Sequence, residues 1–301
     1  VSTGMARPAT DAPRRLGPYR LLGTLGHGAL GPVHLGRGAA RRGGRKRLAA
    51  VRALRPELLR DRQLKARLRR DLDTVRTRVT SPYAALPLGC ELDGERPWAA
   101  VEFVPGPSLA RLLVRYGPPP EAAVRALGAA LAHALADLHA AGVAHRALRP
   151  ASVLVAADRP RAVDCALGAL AGEPPADGHG GPAEDVFDLG VLLALTASGR
   201  HPFRDGPPPA GAPRTSETPG APGRGEPAPA GVPAGLRPVL LACLDREPGR
   251  RPAADALAAS LDPAGRAWGP AGTWLPELWL RAIGAHAALA RELGGRRRFG
   301  R

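Results

Sequence analysis

His145-Arg146-Ala147-Leu148-Arg149-Pro150-Ala151-Ser152 is the stretch on which the reading of this chain turns. Before it, a helix is expected from Pro119 to Ala141, opened by the prolines at 118–120 and closed by Gly142. After it, Ser152-Val153-Leu154-Val155 reads as a short strand, and the apolar segment Ala162-Val163 ends on Asp164, twelve residues beyond Ser152. The octet is therefore a basic, proline-bearing loop between a long helix and short extended segments. Far upstream, Leu25-Gly26-His27-Gly28-Ala29-Leu30-Gly31-Pro32-Val33 follows the pattern G-x-G-x-x-G-x-V. Glycines there let backbone approach an anion where a Cβ would obstruct it. Ordinary glycine-rich hairpins and dinucleotide-binding folds share such a pattern. Here Pro32-Val33-His34-Leu35 continues as extended chain instead of opening a helix, as a hairpin does.

Taken in order, these segments resemble the signature set of protein kinases. The octet is similar to the catalytic loop His-Arg-Asp-Leu-x-x-x-Asn. Ala49-Ala50-Val51-Arg52 resembles V-A-I-K, and Asp71, on an amphipathic run from about Asp61 to Val79, stands where the family's helix Glu pairs with that Lys. Ala162-Val163-Asp164-Cys165-Ala166 occupies the Asp-Phe-Gly position. Asp185-Val186-Phe187-Asp188-Leu189-Gly190 resembles the start of the large C-lobe helix, whose first Asp caps the catalytic loop. Asp245-Arg246-Glu247-Pro248-Gly249-Arg250-Arg251-Pro252 resembles the late segment ending in Arg-Pro. Local phrases such as Gly17-Pro18-Tyr19-Arg20-Leu21-Leu22 and Val104-Pro105-Gly106-Pro107-Ser108-Leu109 are similar to actinomycete serine/threonine kinases.

The resemblance implies an α+β, two-lobed fold: a small β-rich N-lobe with one helix, and a larger, mainly helical C-lobe. It divides the chain into a disordered N-terminus (1–15), an N-lobe (16–104), a C-lobe (105–262) carrying a Pro/Gly-rich insertion (206–238), and a C-terminal helix with a basic tail (263–301). It also implies a nucleotide site. Val33, Ala50 and Leu154 would sandwich adenine, and the linker Glu102-Phe103-Val104 would meet its edge through backbone groups. The amides around Gly26, Gly28 and Gly31, together with Arg52 and Arg149, would face phosphates, with one magnesium on Asp164 and Asp71 as the ion-pair partner of Arg52.

The departures bear on catalysis. Ala147 replaces the Asp that takes the substrate proton, Ser152 replaces the Asn that holds a second magnesium, and Arg52 and Arg149 replace lysines. A planar guanidinium is not equivalent to a point-charge ammonium. Positioned acid–base catalysis supplies about 10²–10⁴ in rate, and no Asp or Glu lies between Leu148 and Val155 to replace it. Between Asp164 and Asp185 there is no Ser, Thr or Tyr to be phosphorylated; Glu173-Pro174-Pro175 is the nearest vestige of Ala-Pro-Glu, so the partner of Arg251 is missing or moved. Cys165 and Ala166 truncate the aromatic that links the lobes through His145.

Composition sets the remaining bounds. Lys46 and Lys65 are the only lysines in a chain rich in Arg, Ala, Gly and Pro, a bias that fits a GC-rich genome and makes Lys→Arg at 52 and 149 readable as drift. Cys90, Cys165 and Cys243 lie far apart, which points to a reducing compartment and away from a disulfide frame or zinc site. No signal-peptide pattern or membrane-spanning run is seen, so a cytoplasmic protein is expected. The formal charge of +16 includes six basic residues between Arg37 and Arg47 and the tail Arg296 to Arg301. That charge suits an Arg-rich solvated surface or an acidic partner; the lack of interleaved aromatics argues against sequence-specific nucleic-acid binding. The expected function is that of a catalytically impaired kinase, a pseudokinase that binds ATP or a protein partner and needs no cofactor. The alternatives are a weak serine/threonine kinase using ATP and Mg2+, and an Arg-rich module for an anionic partner.

Overall fold

Strands β1 (Arg15–Leu16), β2 (Tyr19–Gly28), β3 (Gly31–Gly38), β4 (Arg47–Ala53), β5 (Pro87–Glu91) and β6 (Trp98–Glu102) form one antiparallel sheet in the order β1-β2-β3-β4-β6-β5. The computed structural model describes residues 14–38, 47–170, 181–203, 231–262 and 274–295. One face of the sheet buries Tyr19, Leu21, Val51 and Trp98, with Tyr19 and Trp98 meeting edge to face at 5.6 Å between centroids. Helix α1 (Arg62–Arg78) lies beside β5, its apolar stripe Leu68, Leu72 and Val75 buried at helical spacing. Asp61 caps it, its carboxylate accepting from the Gln63 and Leu64 amides.

The larger half is built on α3 (Glu121–Ala140). Alanines fill much of its surface, and Ala123, Ala126, Ala129, Ala130, Ala132 and Ala134 are buried. Small side chains let α4 (Pro182–Ser198) and α6 (Ala254–Leu261) pack directly against it. Helices α2 (Leu109–Tyr116) and α5 (Arg237–Cys243) complete this layer, with the short hairpin β7 (Val153–Val155) and β8 (Pro160–Ala162). The last helix, α7 (Glu277–Gly295), buries Trp279 and Ile283 and packs against both α2 and β2. Within α7, His286 Nδ1 has no hydrogen-bond partner among the described residues. Desolvation first, and then the Arg111 charge on α2, hold the His286 imidazole down at about 4.

The two-lobed α+β expectation agrees with this architecture, and two boundaries are corrected. The sheet begins at Arg15, inside the segment expected to be disordered. The end of the expected insertion, Gly231–Pro238, is packed: Val232 and Leu236 are buried, and Pro238 sits in the first turn of α5, where its missing N–H is tolerated. Residues 204–230, with Thr215, Ser216 and Thr218, lie outside the described residues. So do Lys46, Glu173 to Pro175 and the tail 296–301. Among the described residues no helix is long and apolar enough to cross a membrane.

Candidate active site

The loop between α3 and β7 is held by a carboxylate from the N-terminus of α4. Asp185 is fully buried and accepts from the His145 amide at 2.7 Å, the Arg146 amide at 2.7 Å and His139 Nε2 at 2.8 Å. Arg146 has φ of 64°, a left-handed conformation that an L side chain adopts at a cost of about 1–2 kcal/mol. The charge-assisted bonds to Asp185 offset that cost. His145 Nε2 donates to the Val163 carbonyl at 3.0 Å, which leaves Nδ1 to accept from the Ala147 amide at 3.4 Å. Burial lowers the His145 pKa and favours this neutral ring.

Ser152 is buried within the loop it closes. Its Oγ accepts from the Arg149 amide at 3.0 Å and shares its own proton between the Ala147 and Arg149 carbonyls, each at 3.0 Å. The residue is thus a staple that fixes the loop's shape. Ala147 adds only a methyl group, buried within the same loop.

Arg52 and Asp164 meet across the cleft. Arg52 Nη2 donates to both Asp164 oxygens, at 2.7 and 2.6 Å, and Nη1 donates to the Gly31 carbonyl at 3.3 Å. Gly31 has φ of 124°, and a Cβ there would fall 2.0 Å from the Ala53 carbonyl oxygen, so the turn between β2 and β3 requires glycine. Asp164 is itself left-handed, with φ of 65°. The expected Arg52–Asp71 pair does not form. Asp71 faces the catalytic loop and accepts from Arg146 Nη1 at 3.0 Å, with Arg67 at 4.0 Å on its own helix.

After Asp164 the chain makes a 3₁₀ turn, Leu167–Leu170, which packs against α1. A Cβ on Gly168 would lie 2.4 Å from the His145 carbonyl oxygen, so the turn sits directly on the catalytic loop. Cys165 is buried beside it, and burial pushes its thiol up to about 12. On the other side of the cleft Ala85, Val101, Val104 and Ala156 form a small apolar cluster, with Ala50, Leu154 and Val163 against it. The chain leaves the sheet after Glu102, and among the described residues no group engages the Val104 amide, while its carbonyl accepts from Gly106.

This geometry has relatives. No family model matches the chain. It is 35% identical over 297 residues to the serine/threonine-protein kinase AfsK of Streptomyces coelicolor, which spans 90% of this chain and 35% of that protein. It is 34% identical over 290 residues to the probable serine/threonine-protein kinase PkwA of Thermomonospora curvata, spanning 86% of this chain and 36% of that one. The chain thus covers about a third of the length of these curated relatives. The PknI kinase domain of Mycobacterium tuberculosis superposes with a TM-score of 0.65 at 22% identity, covering 83% of this chain and 96% of that domain. Rad53 in complex with AMP-PNP superposes with a TM-score of 0.58 at 20% identity, covering 78% of this chain and 62% of that one. The chain is a homologue of bacterial serine/threonine protein kinases.

In this kinase homologue the expected adenine residues Ala50, Val104 and Leu154 share one apolar cluster, whereas Val33 stands outside it, paired with Arg52 in the β3–β4 register. Gly28 lies over Arg52: a Cβ there would be 3.6 Å from Nη1. Gly26 is paired with Val33 across the hairpin. Glu102 engages the Leu86 backbone, its amide bonding the carbonyl at 3.0 Å and its carboxylate accepting from the amide at 3.4 Å. One residue with a clear role escapes the motif reading. Glu184 lies 3.6 Å from Arg251, which also donates to the Ala183 and Asp245 carbonyls and lies over the Phe187 ring at 4.8 Å. The partner of Arg251 has moved, and Pro182-Ala183-Glu184, beside Asp185, was the available signal.

A magnesium ion asks for octahedral coordination by hard oxygens. Both Asp164 oxygens accept from Arg52, the Ser152 hydroxyl is engaged by its own loop, and Ala147 offers no oxygen. Among the described residues no three His, Cys, Asp or Glu side chains converge to hold a metal. The residues present do not fit that ion.

Proposed function

We propose that this kinase homologue is a pseudokinase: it binds a nucleotide in its cleft, transfers phosphate poorly or not at all, and acts as a regulatory scaffold for a protein partner. The observation that carries the reading is the contrast inside the catalytic loop. Asp185, His145 and Ser152 maintain its shape, while the position that would orient and deprotonate a hydroxyl is the methyl group of Ala147. Shape without a base favours binding over turnover, because phosphoryl transfer depends on positioning and charge neutralisation. The apolar cluster of Ala50, Val104 and Leu154 beside a disengaged Val104 amide supports adenine recognition, which relies on backbone and shape. The nucleotide analogue bound to Rad53, a neighbour in fold alone, is consistent with that use of the cleft.

The test pairs binding with turnover. Adenosine and ATP are expected to raise the melting midpoint, since a ligand held only by the folded state stabilises it. Labelled phosphate from ATP is expected to reach neither the chain nor a generic basic protein, and Ala147→Asp alone is expected to leave transfer below detection, because Ser152 and Arg52 still depart from the family pattern. Transfer by the wild-type chain that Asp164→Ala abolishes would instead make it a working kinase.

A further inference from the structure

Arg52 stands in β4 with its guanidinium between the Gly31 carbonyl and the Asp164 carboxylate. A guanidinium carries five N–H donors. Nη2 alone serves both Asp164 oxygens, so the contact is pinched onto one nitrogen and does not use the side-by-side fork that a planar guanidinium offers an oxyanion. Nε of Arg52 is buried with no partner among the described residues, and so is Nε of Arg149. Arg52 in the cleft and Arg149 in the loop that ends at Ser152 therefore each keep a buried donor unused among the described residues. Leaving such donors without an acceptor is costly, and an oxyanion with several lone pairs removes that cost.

We infer that the cleft takes the phosphates of its nucleotide on Arg52 and Arg149 without a divalent cation, and that Asp164 competes with those phosphates for Arg52. The inference rests on the nucleotide reading and deepens it. In the ion pair the guanidinium neutralises the carboxylate that magnesium would otherwise neutralise. The two cations compete for one carboxylate: a metal on Asp164 would share or displace the bonds that Arg52 makes to it at 2.6 and 2.7 Å, and would bring a second positive charge against the guanidinium that the phosphates also hold in place. With Asp164 matched by Arg52, the Arg149 charge is left to attract an anion. As phosphate oxygens engage Arg52, Asp164 is released from it. The carboxylate is thus an internal competitor, and removing its charge strengthens binding. Where Asp164 holds the metal, removing that charge weakens it.

Isothermal titration calorimetry with adenosine, ADP and ATP, each in EDTA and in excess MgCl2, tests this on the full chain. ATP is expected to bind in EDTA within about threefold of its affinity in magnesium. Asp164→Asn is expected to tighten ATP in EDTA by about tenfold and leave adenosine unchanged, a factor that corresponds to one charge-assisted hydrogen bond. Arg52→Ala is expected to weaken ATP by about tenfold and again spare adenosine. Melting curves check that each variant folds, and Arg52→Lys, which keeps the charge and loses the planar fork, serves if Arg52→Ala does not. Tightening of ATP by magnesium of more than about tenfold, lost in Asp164→Asn, would overturn the inference and leave the nucleotide reading standing. Failure of adenosine, ADP and ATP in every buffer would bring down the nucleotide reading and this inference together.

Discussion

Asp185 and Asp164 are two carboxylates of one cleft, and they hold different kinds of partner. Asp185 is fully buried and binds the loop backbone through the amides of His145 and Arg146, with His139 as a third donor. Asp164 retains about a fifth of its side-chain exposure and binds one side chain, Arg52. Backbone partners are present whatever the sequence does nearby, so the floor around Asp185 keeps its geometry with a methyl group at Ala147. Side-chain partners can be exchanged, and here they differ from the expected pairing: Arg52 turns to Asp164, and Asp71 turns to Arg146. The shape of this loop and the pairing of the charged side chains around it are thus set separately, the first by bonds to backbone and the second by bonds between side chains.

The comparison breaks if the two carboxylates prove energetically alike. Asp185→Ala leaves two buried amides and an imidazole without their acceptor while Arg146 stays strained, and is expected to cost about 3–5 kcal/mol, read by urea denaturation. Ser152→Ala removes the loop staple and is expected to cost about 1–2 kcal/mol by the same measurement. Asp164→Ala, despite deleting the same group as Asp185→Ala, is expected to cost about 1 kcal/mol or less, as partly exposed ion pairs do. Equal losses from Asp164→Ala and Asp185→Ala would erase the distinction drawn between them.

A pH series sharpens it by isolating the flank from the cleft. His286 on α7 has a folded pKa of about 4, below the ordinary value of 6.5, so the unfolded chain binds the proton more readily between those values. Its contribution to stability is complete above about pH 6.5 and is lost as pH falls toward 4. The melting midpoint is expected to drop by several degrees from pH 7 to pH 5, and His286→Leu to reduce that drop. An unchanged drop in the variant would remove His286 from the account.

Much of the fold was legible in the His145–Ser152 octet and the motifs in order around it, because each requires a local backbone shape: a glycine turn, a loop closing a helix, an Asp at a helix start. The floor of the site was legible for the same reason, and the cap by Asp185 is as the motif implied. Side-chain pairing was not. Arg52 with Asp71 and Arg52 with Asp164 are equally consistent with the letters, and a 112-residue separation leaves the choice to tertiary packing. Ser152 was read only as the replacement of an Asn that holds a second magnesium, while its hydroxyl proved sufficient to close the loop. The ordered end of the Pro/Gly tract was missed because Pro238 lies where a helix begins, a position that composition cannot tell from a linker.

The thiol that follows Asp164 gives its segment a clock. A thiolate is the reactive form of cysteine, and Cys165, with 1% exposure and a pKa of about 12, offers almost none while its segment is closed. An alkylating reagent reaches Cys165 only when the segment that buries it opens. The rate at which that one peptide gains mass, set against the more accessible Cys90 in the same chain, therefore counts openings of the segment that follows Asp164, without any ligand.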